Sequence, residues 1–101
     1  MRMMIMFDLP VDTAAERREY RKFVKFLKEE GFILFQESIY VKLSMNESNV
    51  KLTETAIQLH LPSKGLVSLL TVTEKQFQDI DYLLGEFHSD VVASPDRVIE
   101  L

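Results

Sequence analysis

Apolar residues fill the stretch from Met1 to Phe7 with only Arg2 interrupting, and Asp8-Leu9-Pro10 then breaks the run. A run that is apolar at both odd and even positions predicts a central strand covered on both faces, followed by a turn. Thr13-Ala14-Ala15-Glu16 matches a capping box, and helix-favouring residues continue to Gly31, which stands where a C-terminal cap glycine belongs. This pattern predicts a helix from about Thr13 to Glu30. Phe32 to Phe35 and Ser38 to Leu43 are β-prone and meet through Gln36-Glu37, so they form either a hairpin or one long bent strand. Ser44 and Asn46 offer caps for a second helix, in which Val50, Thr53, Ile57 and Leu61 recur at helical spacing until Pro62 and Gly65 end it. Leu66 to Thr73 is a further β run. Thr73-Glu74-Lys75-Gln76 repeats the capping-box signature before a short helix carrying Phe77, Ile80 and Leu84, closed by Gly85. Val91 to Ala93 and Arg97 to Leu101 are each short enough to form a final edge strand.

The order is β-α-β-β-α-β followed by a small helix and a C-terminal strand. It predicts an α+β fold, the ferredoxin-like sandwich, in a single domain spanning residues 1–101. In that topology the first and third strands are central, and both long helices cover one sheet face. The other face then needs a partner, and a domain this small gains from covering it, so a homodimer is expected.

Composition narrows the function. The chain has no cysteine, which removes disulfides and thiolate metal sites and fits a reducing compartment. Met1 to Phe7 lacks the small-residue cleavage site of a signal peptide, and no stretch reaches the roughly 20 apolar residues of a membrane span, so a cytoplasmic protein without membrane contact is expected. With a net charge of −4, any binding of nucleic acid must come from a local patch.

Such a patch is written in the first predicted helix. At 100° per residue, Arg17, Arg18, Arg21, Lys22, Lys25 and Lys28 share an arc of roughly 140°. Tyr20, Phe23, Val24, Phe26 and Leu27 fall opposite, and only Glu29 intrudes on the basic side. The pattern also suits an ordinary solvated face, but segregation of sign within an acidic chain favours phosphate binding, with arginines gripping bidentately and lysines acting as point charges. Asp8 is the second candidate. A carboxylate directly after a buried strand can hold a hard divalent cation, and it can equally be an Asx-type turn residue. One carboxylate is too few ligands for magnesium, so a site would need a second copy from a twofold-related chain. His60 and His88 stand alone, without the clustering expected of metal ligands. The serines lack nucleophile-elbow glycines, and the glycines sit at helix ends or at the start of a strand and build no phosphate cradle.

The strand ending in Asp8, the Arg-rich helix start, Gly31-Phe32 opening the second strand and Gln36-x-Ser38-Ile39-Tyr40 in the hairpin together resemble the small CRISPR-associated adaptation proteins of type II systems, the Cas two family. The likeness extends through Thr73-Glu74-Lys75-Gln76-Phe77 to Arg97-Val98-Ile99-Glu100-Leu101 and covers essentially the whole chain. The resemblance implies a homodimer with facing sheets and a C-terminal strand reaching across to the partner. It implies Mg2+-dependent endonuclease activity on DNA or RNA, with the residue matching Asp8 supplied by each protomer to one magnesium. It further implies a role beside the larger CRISPR integrase subunit, capturing duplex DNA and inserting it as a new spacer.

Two functions follow. In the first, Asp8 is the catalytic metal ligand, while Arg17, Arg18 and Arg21 hold the nucleic acid and offset charge in the transition state. In the second, the dimer is a non-catalytic scaffold that bridges integrase units and supports DNA along the first helix, through Arg17, Arg18, Arg21, Lys22 and Lys25. A small-ligand regulatory sandwich and an RNA-recognition module share this topology. The aromatic-glycine signature of the latter is missing.

Overall fold

The computed structural model describes residues 1–85. Seven elements follow one another: β1 (Arg2–Asp8), α1 (Ala14–Glu29), β2 (Ile33–Gln36), β3 (Ile39–Leu43), α2 (Glu47–Gln58), β4 (Leu66–Val72) and α3 (Glu74–Gln78). The four strands form one sheet in the order β2-β3-β1-β4. Every neighbouring pair is antiparallel, so β1 and β3 are central and the βαββαβ topology is ferredoxin-like. Within β1 the odd residues Met3, Ile5 and Phe7 are buried, while Arg2, Met4 and Met6 are half-buried, as alternation across a pleated strand requires.

Local chemistry sets where each helix begins and stops. The Thr13 hydroxyl accepts from the Glu16 N–H at 3.1 Å, and the Glu16 carboxylate accepts from the Thr13 N–H at 3.0 Å. That reciprocal bond holds the Glu16 carboxyl below its usual range. At the other end Gly31 takes φ +100, a left-handed conformation that costs glycine nothing. Asn46 caps α2 by accepting from the Asn49 N–H at 2.8 Å. Ser44 is not a cap: it is buried, and its hydroxyl donates to Asn49 Oδ1 at 2.9 Å. β2 and β3 form a hairpin rather than a single bent strand. Gln36 pairs with Ile39, and the intervening Ser38 adopts φ +66.

The main core lies between the sheet and the two long helices. Phe23, Phe26 and Leu27 of α1 and Ile57 of α2 pack on Met3, Ile5, Phe7 and Tyr40. Phe7 is its hub, edge-on to Phe23 at 5.5 Å and to Tyr20 at 5.9 Å and stacked on Tyr40 at 5.8 Å. Such pairs add about 0.5–1.5 kcal/mol each beyond the area they bury. Leu61 does not continue the α2 stripe: the helix stops at Gln58, before Pro62 can obstruct it, and Leu61 is left half exposed.

The second sheet face departs from expectation, because the chain partly covers it itself. Phe77 of α3 buries against Phe35 and Val41, with Met4, Ile39, Val72, Ile80 and Tyr82 around them. α3 is also shorter than predicted. Its last turn closes with the Asp79 N–H on the Lys75 and Gln76 carbonyls, after which Ile80 and Tyr82 follow the sheet individually. Leu84 is exposed and Gly85 closes no helix. The expected final strand, at Val91 to Ala93 or Arg97 to Leu101, lies outside the described residues, as does His88. No helix among the described residues is long and apolar enough to cross a membrane.

Candidate metal and nucleic-acid site

Asp8 is the last residue of β1 and pairs with Leu66 at the start of β4. Strand alternation puts it on the face of Arg2, Met4 and Met6, away from α1 and α2. Among the described residues α3 covers that face toward the Arg2 end, where Phe77 packs with Met4 and Val72. Asp8 stands about 20 Å further along the strand, six residues at roughly 3.3 Å each. Leu66 and Leu70, which share the face, are 67% and 50% exposed, so among the described residues the end of the sheet that carries Asp8 is an open apolar surface.

The Asp8 carboxylate is exposed, and among the described residues nothing donates to it or pairs with it. The Asx-type turn is therefore not formed. Its donor would be the N–H of the residue two positions on, and that residue is Pro10, which has none. A free, hard oxygen donor suits magnesium. Among the described residues, however, no group of three or more His, Cys, Asp or Glu side chains comes together. Asp8 fits magnesium as one half of a shared site and not as a complete site in one chain.

The basic arc of α1 is present and exposed at Arg17, Arg18, Arg21, Lys22, Lys25 and Lys28. None of these forms a salt bridge among the described residues. Arg17 differs from the others: its Nη1 donates to the Val11 and Asp12 carbonyls at 3.0 and 3.1 Å, bracing the loop that leads from Asp8 into α1. Tyr20 and Val24 join Arg21, Lys25, Lys28 and Glu29 around a groove of about 520 Å³ along the helix. α1 packs on the Met3-Ile5-Phe7 face and Asp8 stands on the other, so the sheet separates the basic helix from the carboxylate. They do not form a single pocket within one chain.

His60 lies just beyond α2 with its ring stacked 4.1 Å from Phe26 and its Nδ1 donating to the Ala56 carbonyl at 2.8 Å. It closes the end of the helix layer. Two features carried little or no signal in the sequence. Arg2 of β1 and Glu74 of α3 bind each other, and Gly65 sits where an added Cβ would meet the Asp8-Leu9 backbone. The first had no local sign, since the partners are 72 residues apart. For the second, the glycine just before a strand was the visible sign.

The family model described as CRISPR associated protein Cas2 matches residues 1–80, which takes in all seven elements and Asp8. The chain belongs to the Cas2 family. Among its Cas2 relatives, a protein of Ligilactobacillus salivarius is 50% identical over 101 residues, covering 100% of both chains. One of Streptococcus mutans serotype c is 48% identical over 101 residues, covering 100% of this chain and 93% of its own. A third, of Treponema denticola, is 39% identical over 101 residues, with 100% of both chains covered. Each of the three is named CRISPR-associated endoribonuclease Cas2.

Proposed function

We propose that two copies of this Cas2 chain pack through the open sheet face, and that the dimer serves CRISPR adaptation beside the larger integrase subunit while retaining a Mg2+-dependent endonuclease activity. The observation that carries this reading is the placement of Asp8, which among the described residues is free of hydrogen bonds and stands at the end of an open apolar face. Burying Leu66 and Leu70 against a second copy brings the two Asp8-bearing sheet ends to one interface, and the pair of carboxylates supplies what one chain lacks. Magnesium held there would polarise a phosphodiester and lower the pKa of a bound water. Asp8 acts as a ligand in this arrangement. The names of the relatives favour RNA as the strand that is cut.

The scaffold role has its own support. Arg18, Arg21, Lys22 and Lys25 project from the helix layer with no acidic partner among the described residues, on the face opposite Asp8. A duplex lying along α1 thus meets charges that the carboxylate site does not use, and bridging of integrase units can proceed without cleavage.

Asp8→Asn tests the reading, because it preserves shape while removing the charge from both halves of the site at once. Purified protein is assayed on single-stranded RNA and on duplex DNA, with magnesium and with chelator, and spacer acquisition is followed in cells. The expected result is loss of magnesium-dependent cleavage, with dimerisation, duplex binding and acquisition retained. Cleavage that persists in the variant refutes the metal assignment. Acquisition that vanishes while the variant still assembles with the integrase refutes the scaffold role.

A further inference from the structure

We infer that Gly65 is a positioning residue for Asp8, holding the carboxylate in place through the backbone rather than through any bond to the side chain. The inference rests on Asp8 being a metal ligand and adds what keeps that ligand aimed. Gly65 has φ +105, and a Cβ built on it would lie 2.6 Å from the Asp8 carbonyl oxygen, 2.8 Å from Leu9 Cδ2 and 3.1 Å from Leu9 Cα. Two of those three atoms are backbone and cannot swing aside. On the opposite side of β1, the Phe7 N–H donates to the carbonyl of Ser38 at 3.0 Å, and Ser38 itself is left-handed at φ +66. The end of β1 is thus wedged between two positive-φ residues, one beside each flanking strand.

The loop that carries Gly65 is tied to α1 two residues earlier. Ser63 donates to the Glu19 carboxylate of α1 from its N–H at 3.2 Å and from its hydroxyl at 2.9 and 3.1 Å. A side chain at position 65 would therefore push on Asp8 and Leu9. Leu9 is packed against the main core, and the push falls first on the Asp8 carbonyl oxygen, the nearest atom at 2.6 Å. Among the described residues no hydrogen bond holds the Asp8 carboxylate against such a shift.

Gly31 supplies the matched control. Its φ of +100 imposes the same backbone strain on a substituted residue, yet its nearest neighbours are the flexible Lys42 Cε at 3.6 Å and Cδ at 3.8 Å. Dimeric wild-type protein, Gly65→Ala, Gly31→Ala and Asp8→Asn are titrated with Mn2+ as a paramagnetic stand-in for magnesium. Thermal unfolding is recorded in parallel. Gly65→Ala is expected to weaken Mn2+ binding by about 10- to 100-fold, the range seen when a residue that orients a metal ligand is lost. The magnesium midpoint of cleavage should rise in proportion while the rate at saturating magnesium holds. Gly31→Ala should lose stability and keep wild-type affinity. Equal affinity in the two glycine variants overturns the inference and leaves the Asp8 assignment standing. Equal binding by wild type and Asp8→Asn overturns the assignment itself, and the inference with it. Should Gly65→Ala not fold, Leu9→Ala/Gly65→Ala removes the Leu9 Cδ2 clash, keeps the clash with the Asp8 carbonyl, and is judged by the same outcomes.

Discussion

Replacing Arg2 with methionine should loosen α3 from the sheet while leaving Asp8 untouched. The Arg2 side chain is 13% exposed and that of Glu74 39%. Nε and Nη2 of Arg2 reach the Glu74 carboxylate oxygens at 2.9 to 3.2 Å. The guanidinium carbon also lies 4.6 Å from the centroid of the Phe77 ring, the residue that anchors α3. Hydrogen bonds to charged groups are worth about 1.5–3 kcal/mol, but the exposure of Glu74 calls for the low end of that range. Adding about 0.5 kcal/mol for the cation–π interaction gives a loss of roughly 2 kcal/mol for Arg2→Met. For a domain of this size each kcal/mol moves the midpoint by about 4–8 °C, so the melting temperature should fall by about 10 °C. Melting must be compared at fixed protomer concentration, because assembly makes the midpoint depend on it.

A double-mutant cycle with Glu74→Gln isolates the pair and should return a coupling of about 1 kcal/mol. The pH dependence supplies a second readout. Hydrogen bonds from Arg2 hold the Glu74 carboxyl below its ordinary value of 4.5. Its folded pKa is depressed, so its contribution is fully present above the unfolded value and is lost as pH falls through the folded one. The stability difference between wild type and Arg2→Met should therefore be constant above about pH 4.5 and shrink as the pH falls below it. A variant that melts within about 1 °C of wild type at pH 7, together with zero coupling, would refute the reasoning and leave Phe77 burial alone to hold α3.

Two further outcomes follow from the faces of the sheet. Arg17, Arg18 and Arg21 changed together to Glu should weaken binding to all duplex sequences alike and lower the salt slope by about 0.9 for each phosphate no longer neutralised; filter binding across a salt series checks this, and an unchanged slope means that the duplex lies elsewhere. Leu66→Lys/Leu70→Lys should leave the monomer folded, because both side chains are already at least half exposed, yet abolish the dimer in sedimentation and magnesium-dependent cleavage with it.

Much of the frame was legible in local sequence, because helix ends are fixed by interactions three or four residues apart. The Thr13-Glu16 and Thr73-Gln76 boxes and Gly31 each stand where their pattern placed them. The length of α3 was not legible. Phe77 and Ile80 have helical spacing, but they keep to one sheet face through a path that leaves the helix after Gln78. Pro10 could have been read further, since a residue without an N–H removes the donor that an Asx turn at Asp8 needs. Gly65 showed only as a glycine before a strand, because its approach to Asp8 spans 57 residues and exists only once β4 lies beside β1.

The relation between Asp8 and the basic helix shows how much a single packing choice decides. Parity along β1 already separates Asp8 from Met3, Ile5 and Phe7, but the run is apolar on both sides, so parity alone does not say which face α1 covers. Phe23, Phe26 and Leu27 decide it by packing on the odd face. Arg18 and Arg21 are thereby placed across the sheet from the carboxylate of their own chain. The proposed duplex support and carboxylate chemistry would then belong to opposite surfaces, linked by two loops: the one between β1 and α1, which Arg17 braces at the Val11 and Asp12 carbonyls, and the one before β4, which Glu19 anchors at Ser63. A substitution on one surface should therefore leave the other function intact, unless it acts on one of these loops or on Gly65 at the end of the second.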